Sequence, residues 1–456
     1  MLYDFLIADS DENEPRYRQI YYSVRRHIED GSLKKNTRLP SVRELCAELG
    51  ISKTTVLAAY EQLSAEGYIY SLPKKGYFVA ADFNSRPPES PSVNEASAQK
   101  SRQYYEYDFS GKSIDSGIVD LSHWRKCVKD VINRDYLLTS YGDPQGEEAL
   151  RKALQQYAVG TRSVNSTPEN IVIGAGTQPV LSILCALLGK ELKIAVAGGA
   201  FVQSEFVFRS YGYEVEYFES DRFGARVDSL DRIKPDLVLI NPNYCEESGE
   251  SMPVTRRLEL IRGAKLNNAL IIEDDYNGEL RYSTHPMPCV QHYDTENTVY
   301  LGSFSKVLLP SVRLSYMVLP RALTEKYREI KKFTNQTASK TEQLALAEYI
   351  NSRKIDVHLR KARRVYLEKS RLMLKSIRKY FPDWEIKFNE TSLYCTLKPP
   401  FQLDAEALSG ALEENSIRIM ARSAGKNELS LSFSGISSQK TEGGIEKLAK
   451  IIGDTA

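Results

Sequence analysis

The stretch Leu301-Gly302-Ser303-Phe304-Ser305-Lys306 ends the apolar run Thr298-Val299-Tyr300-Leu301 with two hydroxyls and a lysine. An apolar run without strict polar alternation reads as a strand buried on both faces. Small polar groups just beyond such a strand stand where open α/β sheets collect their ligands. Outward from this stretch the pattern recurs in Ile171-Val172-Ile173, Lys193-Ile194-Ala195-Val196, Leu237-Val238-Leu239-Ile240, Ala269-Leu270-Ile271-Ile272 and Leu314-Ser315-Tyr316-Met317-Val318. Helical stretches at 178–188 and 255–267 lie between several of them. The alternation predicts an α/β domain around a central mixed, mostly parallel sheet. Polar or aromatic residues follow strand after strand: Gly176-Thr177-Gln178, Phe201, Asn241-Pro242, Asp274 with Tyr276, and Ser303 to Lys306.

The residue types at these exits suit one ligand. Lys306 offers an amine to an aldehyde, as an imine-forming lysine must. Asp274 against a pyridine nitrogen would keep it protonated and make the ring an electron sink. Tyr276, two residues on, is placed for a phenolic ring oxygen. Gly176 and Thr177, followed by Gln178, lie between a strand and a helix, where free amides and the helix dipole favour a phosphate. Ser303, Ser305 and Arg313 add hydroxyls and a charge. Phe201 is placed to lie flat on a ring, and Asn241 completes the candidate set. The ligand so described is pyridoxal 5'-phosphate. Taken singly, an aspartate after a strand is usually a helix cap, a lone lysine faces solvent and a phenylalanine belongs to the core; the order along one chain carries the reading.

The 456 residues exceed what one hydrophobic core usually organises, and 42% apolar composition fits two or three soluble domains. No segment approaches the apolar length that crosses a bilayer, and Met1-Leu2-Tyr3-Asp4-Phe5 lacks a basic stretch followed by an apolar one, so a cytoplasmic protein is expected. Six scattered cysteines without paired ligand spacing predict reduced thiols and no metal site. The net charge of +1 hides an asymmetry, because residues 15–80 hold eleven Lys or Arg against six Asp or Glu. Between Asn84 and Lys100 the chain is rich in Pro, Ser and small polar residues, which cannot bury enough apolar surface to order themselves. The expected organisation is a first domain at 1–80, a flexible linker at 81–107 and a second domain at 108–456.

In the basic block Ile20, Val24 and Ile28 recur at helical spacing, with Gly31 beyond as a stop. Ser41 with Glu44 three residues on predicts a capping box and a second helix with an apolar face of Leu45, Cys46 and Leu49, ended by Gly50. Ser52 caps a third helix that turns Val56, Ala59, Tyr60 and Leu63 inward and leaves Lys53, Thr54 and Thr55 exposed on its first turn. Short strands at Tyr68-Ile69-Tyr70 and Tyr77-Phe78-Val79 flank a Pro73-Lys74-Lys75-Gly76 tip. This is the order of a winged helix-turn-helix, whose recognition helix reads base edges with its first turn while wing lysines meet phosphates. The partner it predicts is double-stranded operator DNA, with Arg38, Ser41, Arg43, Ser52, Lys53, Thr54, Thr55, Lys74, Lys75 and Gly76 as candidate contacts. The bland alternative is a packed helical hairpin with solvated charges.

The block resembles the DNA-binding domain of the GntR regulators through Leu39-Pro40-Ser41-Val42-Arg43, Ser52-Lys53-Thr54-Thr55-Val56 and Gly76-Tyr77-Phe78-Val79. The remainder resembles the fold type I aminotransferases, and the two together resemble the MocR subfamily of GntR regulators. The motifs are Tyr141-Gly142-Asp143-Pro144-Gln145-Gly146, Gly176-Thr177-Gln178, Glu273-Asp274-Asp275-Tyr276, Ser303-Phe304-Ser305-Lys306, Arg313-Leu314 and a helix through His358-Leu359-Arg360 and Arg363-Arg364-Val365-Tyr366. The resemblance implies cofactor contacts that include Tyr141, a head-to-tail, domain-swapped homodimer, and imine formation with an amine or amino-acid effector, or binding of pyridoxal phosphate itself, as the signal.

Four positions depart from the family. Ala197-Gly198-Gly199-Ala200-Phe201 replaces an acidic residue, proline and tyrosine; Gln203 replaces an effector-binding arginine; Tyr244-Cys245 follows Asn241-Pro242; and Ser430 stands where aminotransferases clamp the substrate carboxylate with arginine. A carboxylate without that guanidinium forgoes roughly 1.5–3 kcal/mol per charged hydrogen bond. Arg209, Arg418 and Arg422 are the candidate substitutes. The sequence therefore predicts a regulator with little transamination whose effector is pyridoxal phosphate or an amine without the usual carboxylate geometry. The alternatives are an active aminotransferase with an appended DNA-binding domain, and a degenerate domain serving only as a dimerisation scaffold.

Overall fold

The structure, a computed structural model, describes residues 14–80, 105–197, 202–245, 248, 250–282, 287–388, 392–420 and 427–455. The chain divides into two units, Met1–Gln103 and Tyr104–Ala456.

In the first unit, helices Arg16–Glu29, Val42–Leu49 and Lys53–Ala65 precede a hairpin of Ile69–Leu72 and Gly76–Val79. Ile20, Val24, Ile28, Leu45, Val56, Ala59, Tyr60 and Leu63 form its core, with Ile69 and Val79 from the hairpin. Both predicted caps are present: Ser41 and Glu44 close a reciprocal capping box, and the Ser52 hydroxyl accepts the Thr55 amide at 3.2 Å. Gly50 ends the second helix with φ 61, a left-handed conformation that costs glycine little. Cys46 and Leu49 are half-buried, because that helix covers only one side of the recognition helix. The tyrosine at 60 donates from within the core to the Pro40 carbonyl at 2.9 Å and ties the two helices together. The hairpin pairs Leu72 with Gly76, so its strands run closer to the tip than the sequence indicates, and Tyr68 instead closes the turn out of the recognition helix by donating its amide to Leu63 at 2.9 Å.

The second unit is built on a seven-stranded sheet in the order Ile171–Gly174, Ser315–Val318, Thr298–Ser303, Leu270–Asp275, Leu237–Ile240, Lys193–Val196, Glu214–Tyr217. Ser315–Val318 runs antiparallel to both neighbours; the other pairings are parallel. Ile171–Gly174, Leu237–Ile240 and Thr298–Ser303 are buried along their whole length, which accounts for their apolar sequences. Helices Thr177–Leu188, Val254–Leu266 and others connect the strands. A second sheet of Glu385–Lys387, Tyr394–Lys398 and Leu429–Ser432, covered by Lys354–Tyr380, Ala405–Glu414 and Ser438–Thr455, completes the unit. All six cysteines are free thiols. Among the described residues no helix is long and apolar enough to cross a membrane.

Gly302 shows how tightly the central strand is packed. It faces Tyr316 across the antiparallel pair, and a Cβ at this position would sit under 3.0 Å from the buried Tyr316 ring. The ring has no room to retreat, so Gly302→Ala should destabilise the protein by about 1–3 kcal/mol, the usual range for overpacking a core. Urea unfolding followed by near-ultraviolet dichroism checks this, and an unchanged midpoint would refute the packing argument.

Candidate functional site

The carboxyl ends of the parallel strands share one edge of the sheet. Because Ser315–Val318 runs the other way, its beginning reaches that edge: Ser315 pairs with both Ser303 and Gly174. This reversal brings Arg313 beside residues that lie far away in sequence. Arg313 adopts a left-handed conformation (φ 51) and donates to Ser305 Oγ at 3.4 Å. A Cβ on Gly176 would fall 2.6 Å from Arg313 Nη2, and the positive φ at this position favours glycine there. Gly176 (φ 102) is the N-cap of Thr177–Leu188 and offers no side-chain cap, leaving first-turn amides available to an anion. Thr177 is half-buried beside it and Gln178 exposed. Ser303 is buried, accepting from Ser315 Oγ at 3.0 Å and from the Ser305 amide at 3.4 Å.

Lys306 lies in the turn after Ser303, and its Nζ donates to the Gly111 carbonyl. Burial lowers its pKa below the ordinary lysine value, favouring the neutral amine that a nucleophile requires. The turn is held from behind by His358, whose Nε2 lies 2.6 Å from the Val307 carbonyl.

Three acidic residues end the Leu270–Asp275 strand, and alternation sends them to opposite sides of the sheet. Asp275 is fully engaged, by Arg162 at 2.5 Å, Asn243 Nδ2 at 2.7 Å and the Tyr300 hydroxyl at 3.0 Å. Glu273, on the same side, accepts the Val290 and Gln291 amides at 2.8 and 2.9 Å. Asp274, on the other side, is buried and receives no hydrogen bond from the described residues; burial, and then Asp275, push its pKa to about 7. Asn241 accepts the Asn243 amide at 3.0 Å, while its buried Nδ2 has no partner. Tyr276 stands half-buried beyond Asp274, its phenol pushed well up by burial, then by Asp274 and Tyr244. An unpaired buried carboxyl, an unpaired buried amide donor and a neutral-leaning lysine on one edge fit a ring nitrogen, a ring oxygen and an aldehyde. The Gly176, Ser305 and Arg313 cradle fits a phosphate.

Two candidates are not brought to this cluster: Tyr141 is fully exposed at 102%, and Phe201 lies outside the described residues. Of the possible carboxylate partners, Arg209 is exposed and paired with Glu205 at 2.8 Å, Arg418 stacks 5.1 Å from the Tyr105 ring, and Arg422 is outside the described residues. Gln203 is exposed, and Ser430 bonds Thr396 at 2.9 Å. The sequence reading did not find Gly111, Arg162 or Asn243. Only Asn243 carried a signal, in the repeated asparagine of Asn241-Pro242-Asn243.

In the first unit Arg38, Arg43, Lys53, Thr54, Lys74 and Lys75 are exposed and Thr55 half-buried. The hydroxyls of Ser41 and Ser52 are occupied by capping. Lys74 (φ 62) and Gly76 (φ 103) shape the wing tip, where Arg38 lies 3.6 Å from the position of a Gly76 Cβ.

The Asp274 carboxyl sets a pH test. Its folded pKa of about 7 exceeds the unfolded value of about 4, so between these limits the folded chain holds a proton that the unfolded chain has released. Its contribution to stability is therefore full at pH 4 and is lost as pH rises to 7, by on the order of 1 kcal/mol per unit. In cofactor-free protein, Asp274→Asn should gain on the wild type steadily from pH 5 to 7 in urea unfolding; a constant difference would contradict the assignment.

Two family descriptions match the chain: bacterial regulatory proteins of the gntR family over residues 16–79, and aminotransferase class I and II over residues 109–448. It is 34% identical over 452 residues to the HTH-type transcriptional regulator YhdI of Bacillus subtilis (strain 168), covering 96% of each chain. It is 28% identical to the probable rhizopine catabolism regulatory protein MocR of Rhizobium meliloti, covering 90% of this chain and 87% of that one. The crystal structure of an archaeal alanine:glyoxylate aminotransferase superposes with a TM-score of 0.71 at 22% identity, covering 78% of this chain and 92% of that one, a likeness of fold. With a GntR winged helix and a fold type I aminotransferase domain on one chain, and relatives aligned almost end to end, the protein belongs to the MocR subfamily of GntR transcription regulators.

Proposed function

We propose that this regulator holds pyridoxal phosphate at Lys306 and adjusts its grip on operator DNA according to the amine that reaches the site. The observation that carries the reading is the pairing of Lys306, with its depressed pKa, and the unpartnered buried carboxyl of Asp274 on one sheet edge. When bound, the cofactor would supply an aldehyde carbon able to form an imine with Lys306 or with a primary amine in its place.

The chain's residues would divide the work. Asp274 would hold the ring nitrogen's proton; the positive charge of that ring would offset the burial that raises the carboxyl's pKa. Asn241 Nδ2 and the Tyr276 hydroxyl would donate to the ring oxygen, and Phe201 would cover a ring face. The amides at Gly176, Thr177 and Gln178, the hydroxyls of Ser303 and Ser305, and Arg313 would bind the phosphate. Full exposure of Tyr141 suits a residue that contributes to a partner copy's cleft in a head-to-tail homodimer. On the output side, Lys53, Thr54 and Thr55 would face the major groove and Arg38, Arg43, Lys74 and Lys75 the phosphates, with the Ser41 and Ser52 caps fixing the helix starts and Gly76 the wing. Effector binding then requires two arrangements of the DNA-binding domains with different affinity for the amine.

Borohydride reduction of protein incubated with pyridoxal phosphate should fix the cofactor mass on the peptide containing Lys306. Lys306→Ala should keep a cooperative melt but retain no chromophore after dialysis; a chromophore that survives in this variant refutes the assignment. Arg43→Ala should weaken binding to a labelled duplex selected from random sequence by about 1 kcal/mol or more, roughly fivefold, and lessen its salt dependence. The absorbance of bound cofactor should not change. Fluorescence anisotropy at several salt concentrations measures the first effect, and undiminished affinity would displace Arg43 from the DNA face.

A further inference from the structure

We infer that the amine read at Lys306 carries no carboxylate or other anion beside its nitrogen, and that its substituent is neutral, aromatic or hydroxyl-bearing. This deepens the proposed function and rests on it.

The argument comes from the small sheet. Tyr394 pairs with Ser432 and Thr396 with Ser430, while the alternate residues Cys395, Leu397, Leu429 and Leu431 are buried in the hydrophobic core. Alternation therefore gathers Tyr394, Thr396, Ser430 and Ser432 on the opposite face. That face borders Lys306: Ser432 Oγ and Lys306 Nζ lie 3.1 and 3.8 Å from the one point that a Cβ on Gly111 would occupy. The same end of the face reaches the cofactor-side strand exit, since the ring of Tyr394, which pairs with Ser432, is 5.5 Å from that of Tyr244, three residues after Asn241.

Tyr394, Thr396, Ser430 and Ser432 are uncharged, and Lys387, which stands opposite Thr396 on this face, is neutralised there by Glu428. The Ser430 and Thr396 hydroxyls bond each other at 2.9 Å, and Ser432 Oγ lies 2.9 Å from the Leu393 carbonyl and 3.0 Å from Ser434 Oγ. Cations nearby in sequence are engaged elsewhere. Lys387 pairs with Glu428 at 3.0 Å, Arg209 with Glu205, and Arg418 stacks on Tyr105. Arg313 lies with Ser305 and Gly176 in the phosphate cradle. A carboxylate entering here would surrender its water without a guanidinium in exchange from the described residues. A neutral substituent loses nothing comparable, and the Tyr244 and Tyr394 rings offer it a flat wall.

The test compares matched pairs, tyramine with tyrosine and ethanolamine with serine, titrated into full-length protein loaded with pyridoxal phosphate. It reads the cofactor absorbance and, separately, binding to the selected duplex. Each amine should reach its half-maximal effect at a concentration at least about tenfold below that of its amino acid, a difference worth one charge-assisted hydrogen bond. Ser430→Arg should narrow or reverse that ratio. Amino acids acting as well as or better than their amines, or an unchanged ratio in a loaded Ser430→Arg protein, would overturn the inference while leaving the regulator reading intact. Wild-type protein that takes up no pyridoxal phosphate would overturn both. Should Ser430→Arg fail to fold, the wild-type ratio decides alone.

Discussion

The arrangement of the site depends on how three consecutive buried acids are satisfied. Glu273 and Asp275 point to one side of the sheet and are met there by backbone amides, by Arg162, Asn243 and Tyr300. Asp274 points to the other and is left unpaired. Burying a carboxylate without a partner is costly unless the group takes up a proton, and its elevated pKa is the expression of that cost. The paired acids fix the strand end in place so that the unpaired one cannot rotate away from the cleft. Arg162 is central to this: it bonds Asp275, the Asn243 side chain and the Met287 carbonyl, and so couples the strand end to the loop that carries Asn241. The two groups left without partners, Asp274 and Asn241 Nδ2, are thus each anchored through a neighbour one or two residues away.

Topology supplies the rest. A wholly parallel sheet would place the start of the strand after Arg313 at the far edge, away from Gly176. Reversing Ser315–Val318 lets one edge receive six strand ends and one strand beginning, and the guanidinium arrives beside a helix N-terminus. The reversal also sets Tyr316 against Gly302, so the glycine in the lysine-bearing stretch answers to packing and not to the chemistry of the neighbouring hydroxyls.

What could be read in the sequence was governed by distance along the chain. Caps, helix faces and strand exits are local, so Ser41 with Glu44, Ser52, the four inward residues of the recognition helix and the buried strands were all legible. Gly111 was not, because its carbonyl meets Lys306 across 195 residues; nor was Arg162, 113 residues from Asp275. In Glu273-Asp274-Asp275 the spelling shows three acids alike, and only the side each faces tells the structural pair from the unpaired one. Tyr141 marks the same limit from another direction: a motif fixes its place in the chain, while its full exposure shows that no described residue packs over it.

The two units solve opposite electrostatic problems. The winged helix leaves its recognition cations exposed and spends its serine hydroxyls on caps, while Arg43, Lys53, Lys74 and Lys75 have no acidic partner among the described residues. That suits a surface meant for a polyanion, where binding strength comes from released counterions. The second unit buries its acids, ties down its arginines and presents hydroxyls and rings beside Lys306. Chemistry at an imine carbon demands that the substrate be held in one orientation, which aminotransferases achieve by gripping a carboxylate. If Lys306 exchanges amines as proposed, a cleft without that grip among its described residues would exchange one amine for another more readily than it would commit any of them to further reaction, and an exchange without turnover is what a sensor needs.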